Sequence, residues 1–425
     1  MLIRQLLSFQ VTRTLLVLCD FFYRTMAGSG TGLKTPDLVK KVASANSQFG
    51  LDLYKKVALD LKDSNVFLSP FSISAALAMT QLGARGDTAA QMNQVLKWTD
   101  IQDSVHPGFE DYLRLLKTHR ETTILTTANR LFVNDKAKIL DEFLQKTEKH
   151  YGAQAVLSDF VGNGAGEAEK INQWVESETN SKIKDLITGG IDPLTAMILV
   201  NAIYFKGNWA EKFDPTRTEK GTFKVKPGET VQVDMMRMKK KFKFGLNDEL
   251  NCSVLELPYV KEDLSMFFLL PDKDDGLGEL ESKLNHESLT EALKRVHKTT
   301  VDISMPRFVL ESSFELNEVL KSLGMSDAFD EQKADLSGID GTRLLYISQV
   351  VHKAFLEVNE EGSEAAAATA VRIMTRSLPI IEPFKADHPF LFLIRDNRAD
   401  VVLFMGRLVR PPTAGSAGVS QKTEL

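Results

Sequence analysis

Apolar residues recur at near-helical spacing from about Thr35 to Val57, with Leu38, Val42, Phe49, Leu51, Leu53 and Val57 along one face. That spacing predicts an opening helix. Asn65 to Leu68 is a short apolar run and predicts a strand. Ser69-Pro70 directly after it predicts a helix start: the hydroxyl can accept from a free amide of the first turn, and proline at the first position sacrifices no hydrogen bond. The small residues Ser72, Ser74, Ala75, Ala76 and Ala78 suit this helix to burial close beneath another layer.

Further along, Thr122 to Val133, Met197 to Tyr204, Val254 to Leu257, Ser265 to Leu270 and Val301 to Pro306 are rich in β-branched and aromatic residues and predict strands. Helical patterns lie around Thr88 to Trp98, His106 to His119 and Gly166 to Thr179. The mixture is α+β with a large sheet, and with no repeat or long linker one domain over about 33–412 is expected. The segment from Glu360 to Pro383 stands apart. It has no amphipathic pattern, is Glu- and Ala-rich at its start, and is followed at once by the buried-looking strands Phe390 to Ile394 and Val401 to Met405. Long irregular loops in compact domains are usually functional.

The chain has 425 residues, 43% apolar, which is enough for a substantial core, and a net charge of -5 that provides no global attraction to nucleic acid or anionic membrane. It has two cysteines, Cys19 and Cys252, so no disulfide framework is available. Cys252 reads as a plain thiol. Residues 1–32 hold Arg4 and Arg13, an apolar Leu15 to Cys19 run interrupted after it by Asp20, and small residues Ala27, Gly28 and Ser29. This is either a secretory signal or a disordered leader ahead of Met26, and it is too short to span a bilayer. Residues 413–425 read as a flexible tail ending in Lys422-Thr423-Glu424-Leu425, which resembles the Lys-Asp-Glu-Leu retention signal with Thr in place of Asp. Together the two ends favour the endoplasmic reticulum and secretory pathway over the cytoplasm.

Four stretches carry a resemblance to a known family: Asn65-Val66-Phe67-Leu68-Ser69-Pro70-Phe71-Ser72-Ile73, Asn201-Ala202-Ile203-Tyr204-Phe205-Lys206-Gly207-Asn208-Trp209, the segment from Glu360, and Asp387-His388-Pro389-Phe390-Leu391-Phe392. In this order they resemble the serpins, inhibitors of serine proteases. The resemblance implies a metastable α+β fold of three β-sheets and eight to nine helices with an exposed reactive-centre loop at about 360–383. It implies no enzymatic activity, no cofactor and no metal, a covalent complex with the target protease, and a monomer without membrane insertion. The hinge would be Glu360, Glu361, Gly362, Ser363, Glu364, Ala365, Ala366, Ala367, Ala368, Thr369 and Ala370. A strand sliding into a sheet tolerates neither proline nor bulk, and this run has neither. Read without the resemblance, the same run would suit an exposed helix.

Counting 17 residues from Glu360, as inhibitory members do, puts the reactive bond at Arg376–Ser377 and implies a trypsin-like target whose pocket carries a carboxylate. Met374 or Thr375 would serve in a shifted register. Arg372 also suggests proprotein convertases, but three residues rather than two separate it from Arg376. The resemblance further implies that Ser69, Ser72, Asn201 and His352 hold the main sheet closed, that Trp209 is buried where the loop enters, and that Arg307 pairs with Glu357 across strands that must part. Arg237, Lys239, Lys240, Lys241 and Lys243 could bind a polyanion, but read first as a solvated strand edge protected by lysines. Asn251-Cys252-Ser253 fits a glycosylation sequon. The competing function, a non-inhibitory binding protein or chaperone of the secretory pathway, would have no need of the unbroken small-residue hinge.

Overall fold

The computed structural model describes residues 36–117, 123–361, 381–413 and 421–424. The loop from 362 to 380, with the proposed reactive bond and most of the hinge, lies outside them, as do residues 1–35. Fifteen strands and ten α-helical segments are present among the described residues. The strands are β1 Val66–Leu68, β2 Thr123–Asn134, β3 Ala155–Ser158, β4 Met197–Gly207, β5 Glu219–Lys226, β6 Glu229–Asn247, β7 Cys252–Pro258, β8 Leu264–Pro271, β9 His297–Pro306, β10 Phe308–Glu315, β11 Gln349–Val358, β12 Ile381–Lys385, β13 Phe390–Asp396, β14 Val401–Leu408 and β15 Gln421–Glu424. The helices are α1 Asp37–Asp60, α2 Pro70–Gln81, α3 Gly86–Val95, α4 Gln102–Leu116, α5 Asp141–Tyr151, α6 Phe160–Glu178, α7 Leu277–Lys283, α8 His286–Lys294, α9 Asn317–Ser322 and α10 Ser337–Asp340.

Hydrogen bonding groups the strands into a six-stranded sheet ordered β15-β10-β11-β4-β2-β3 and a nine-stranded one ordered β1-β14-β13-β8-β7-β6-β9-β12, with β5 beside β6. The 19-residue strand β6 joins two of the three expected sheets into one, pairing with β5 and β9 over its first part and with β7 at its end. A strand this long was not legible, because its lysines mask the alternating Met236, Met238, Phe242 and Phe244 that it buries.

Ser69 caps α2 as its sequence predicts: the hydroxyl accepts from the Ser72 amide at 3.2 Å and Pro70 occupies the first turn. Nearly every residue of α2 is buried, which its small side chains permit between the six-stranded sheet and β14. On the sheet's other face α6 packs Phe160, Ala168, Ile171 and Val175 over Val200, Tyr204 and Phe355 of β4 and β11. The tail departs from expectation. Gln421–Glu424 adds to the six-stranded sheet as β15, parallel to Leu310–Ser313 of β10, so most of the retention-like tetrapeptide is ordered by backbone pairing that its composition did not announce.

Candidate functional site

The strands β4 and β11 lie side by side and parallel, with Gln349 to Leu356 in register with Ile198 to Phe205. The strands flanking this pair are antiparallel to it, β2 with β4 and β10 with β11. Parallel neighbours need a long crossover and pair slightly less strongly. The chain leaves β11 at its upper end, at Glu360 and Glu361, the first two residues of the expected hinge. The seam's lower end opens on a cavity of roughly 550 Å3 lined by Leu186, Asp192, Ser313, Glu315, Tyr346 and Gln349, among others.

A row of side chains crosses the seam at one level. Asn129, Asn201, His352 and Phe314 are register partners across β2, β4, β11 and β10. The Ser69 amide donates to His352 Nε2 at 3.2 Å, so the ring's proton is on Nδ1, which donates to Asn201 Oδ1. Asn201 Nδ2 in turn donates to Ser72 Oγ and Asn129 Oδ1, and Ser69 Oγ donates to the Leu403 carbonyl at 2.7 Å. His352 is wholly buried, and burial lowers its pKa to about 3. The structure therefore brings together all four residues that the resemblance grouped beneath the sheet and adds Asn129. An asparagine on a neighbouring strand is visible only once the register is known.

The upper end is latched differently from expectation. Trp209 is buried where anticipated: its indole donates to the Asn359 carbonyl at 2.9 Å and stacks on Tyr259 at 4.6 Å between centroids. Arg307 does not pair with Glu357. It lies 3.0 Å from Asp234 and 3.6 Å from Glu360, whose other carboxylate oxygen accepts from Thr218 at 2.7 Å. Glu357 instead accepts from Asn359 and lies 4.0 Å from Lys206. The correction is one of position along β11: Glu357 is still within the paired strand, opposite Val309, whereas Glu360 lies past its end, where the chain turns toward Arg307 and Thr218. Glu360 is buried, so the residue at which the expected hinge begins is itself anchored.

Removing Arg307 would leave two carboxylates at this end without their cation. Because the guanidinium is a third exposed, solvent screens part of the loss. Arg307→Ala is therefore expected to cost about 1–3 kcal/mol of unfolding free energy. It should also hasten spontaneous oligomer formation on warming, read as a ladder on a native gel. An unchanged denaturant midpoint would show that the latch contributes nothing.

Elsewhere the described residues offer little chemistry. Asp274, Asp387 and His388 converge as metal ligands would, but Lys224 lies 2.8 Å from Asp274 and Lys385 2.7 Å from Asp387, which already supplies the positive charge. Cys252 is buried, and burial pushes its thiol up to about 12, far from a reactive thiolate. Asn251 of the sequon donates to Glu279 at 2.9 Å, with Cys252 beginning β7. Among the described residues no helix is long and apolar enough to cross a membrane.

Residues 44–411 match the family model described as serpin (serine protease inhibitor). The chain is 43% identical over 380 residues to the leukocyte elastase inhibitor of Homo sapiens, covering 88% of this chain and all of that one. It is 43% identical over 375 residues to serpin B6 of Macaca fascicularis, covering 87% and 99%. Its structure is similar to that of a tumour suppressing serpin, with a TM-score of 0.81 at 31% identity over 88% of this chain and all of the other. Uncleaved ovalbumin gives a TM-score of 0.79 at 33% identity, covering 87% of this chain and all of ovalbumin. With its closed parallel seam, its latched upper end and these matches along its length, the chain belongs to the serpin family of serine protease inhibitors and is not an enzyme.

Proposed function

We propose that the chain is an irreversible suicide inhibitor of arginine-cleaving, trypsin-like serine proteases, with Arg376–Ser377 as the bond it offers. The parallel pairing of β4 and β11 carries this reading. A segment that leaves the upper end of β11 and turns back would run antiparallel to β11 and to β4 alike. Inserted between them it would replace one parallel interface by two antiparallel ones, gaining a full set of ladder hydrogen bonds. The 15 residues from Gly362 to Arg376 would span about 50 Å at ~3.3 Å per residue. That length would carry a protease attached at Arg376 past the cavity at the seam's foot.

The steps balance without a cofactor. The protease's serine attacks the Arg376 carbonyl, the bond to the Ser377 nitrogen breaks, and Ser377 leaves as a new amino terminus while Arg376 remains an ester on the enzyme. Insertion then competes with hydrolysis of that ester. The arginine sets this chain apart from a relative named for elastase, whose small specificity pocket does not admit a guanidinium. Proprotein convertases are a secondary target class, supported by the retention-like ending more than by the loop, where Arg372 and Arg376 are one residue too far apart for the Arg-x-x-Arg pattern. Residence in the endoplasmic reticulum belongs to the same proposal; since Lys422 to Glu424 lie in β15, a receptor would have to take them from the sheet edge.

Mixed with trypsin, the purified protein is expected to give a covalent adduct stable on a denaturing gel and a released peptide beginning at Ser377. Cleavage without adduct would favour the non-inhibitory binding protein. Recovery of a tagged full-length chain wholly from the cytosol would reject the retention reading.

A further inference from the structure

The lysine-rich stretch is open along one side: β5 pairs with β6 only as far as Met235 and β7 only from Lys243, which leaves 236–242 with a single partner strand. β6 lies between β7 and β9 in the strand order, and Met235 to Phe244 pair with β9 along their whole length. Edge protection accounts for charge on β6 itself, but not for the common face that these lysines share with Lys298 of β9 beside β12. Register partners share a face, so Lys239, Lys241 and Lys243 of β6 stand beside Asp302, Thr300 and Lys298 of β9, and next to them Pro383 and Ile381 of β12. All three β6 lysines are exposed, as is Lys298. Lys243 is neutralised by Glu256 at 3.0 Å, Arg237 by Glu219 and Lys240 by Glu211. Lys239, Lys241 and Lys298 have no ion-pair partner among the described residues.

The position of this face is as informative as its charge. Ile381, 41% exposed, is the first described residue after the loop and forms one cross-strand row with Thr300 and Lys241. A protease engaged at the proposed bond would be tethered to β12 by only the four residues 377–380 of chain. Lys239 to Lys243 span about 13 Å along β6, and neighbouring strands are ~4.8 Å apart, so the face is as large as a small contact patch. Asp302 at its centre would repel a uniform polyanion, and the apolar Ile381 and Pro383 would gain nothing from one. A folded protein with a carboxylate-bearing rim beside an apolar contact fits both features.

We propose that Lys239, Lys241 and Lys298, with Ile381 and Pro383, form a second recognition surface for the target protease, selecting enzymes whose surface next to the catalytic cleft is acidic. The proposal rests on the inhibitory reading and adds a determinant of target choice separate from Arg376. Charges set this way act mainly on encounter, raising the association rate in a salt-dependent manner and leaving the later chemistry unchanged.

The test compares two arginine-cleaving proteases, an anionic and a cationic trypsin, against the full-length protein and the variant Lys239→Glu/Lys241→Glu/Lys298→Glu. A control, Lys40→Glu/Lys41→Glu/Lys62→Glu, makes the same charge change at exposed positions on and just beyond α1. The second-order rate of adduct formation with the anionic trypsin should fall about tenfold in the first variant and little in the control. The rate with wild type should also fall as salt rises, while inhibitor consumed per enzyme stays constant. The cationic trypsin should lose no rate. Equal rates and equal salt dependence in wild type and variant would overturn the surface while leaving the inhibitory reading standing. Absence of any wild-type adduct would overturn both. Loss of heparin-column retention in the variant with no change in rate would assign the face to polyanions instead.

Discussion

Ala367→Pro is expected to convert the protein from an inhibitor of trypsin into a substrate. The substitution is nine residues before the proposed bond, so the protease should still attack Arg376 and release the peptide beginning at Ser377 at close to the wild-type rate. Insertion is where proline matters. A strand entering between β4 and β11 is central, paired on both sides, and proline is excluded from such positions because it cannot donate to the ladder. An unpaired carbonyl under α6 costs about 1–3 kcal/mol. If that cost falls on the insertion step it slows insertion roughly 5- to 150-fold. Hydrolysis of the ester then wins, and adduct yield should drop below about a tenth of wild type. Gel densitometry and mass spectrometry on the same sample read both quantities. An undiminished adduct would mean that the complex does not depend on strand insertion, and the seam would lose its role.

The hinge is proposed from composition alone, since a stretch that must pass between paired strands excludes proline and bulk residue by residue; all of it beyond Glu361 lies outside the described residues. Ser69 and Pro70 were legible because a helix start is local chemistry. What the sequence concealed depends on register and on chain parity at long range. Arg307 could be seen as a cation in need of a carboxylate, but choosing Glu360 and Asp234 over Glu357 required knowing where β11 ends and that β6 returns past β10's start. Asn129 of β2 and Tyr259 just past β7 complete the site from far away in the sequence, and neither lies in a motif. The lysines of β6 were visible as charge, but whether they guard an edge or pave a face is a question of topology.

The His352 row makes a further prediction, on acidity. A histidine held neutral by burial, with its pKa lowered to about 3 against the ordinary 6.5, binds its proton far more readily when unfolded. Its contribution to stability is therefore full above pH 6.5, declines as pH falls through the interval, and is gone below about 3. Over the whole window the loss is about 5 kcal/mol, of which about 2 kcal/mol falls between pH 7 and 5. His106, lowered to about 4 by burial and by His150, adds a loss of the same sign, so the wild-type slope alone does not isolate His352. His352→Gln does: its amide can still donate and accept but does not titrate. At pH 7 the variant should be less stable by about 1–2 kcal/mol for the imperfect replacement of the bonds to Ser69 and Asn201. The two urea-midpoint curves should then converge near pH 5. Protonated, Nε2 would present a hydrogen to the Ser69 amide that now donates to it, so acid should weaken the tie between α2 and β11 before the molecule unfolds. Wild type should accordingly form native-gel oligomers faster at pH 5 than at pH 7, with a smaller difference in the variant. Parallel pH profiles for the two proteins would remove His352 from the control of the seam and leave its burial a matter of packing alone.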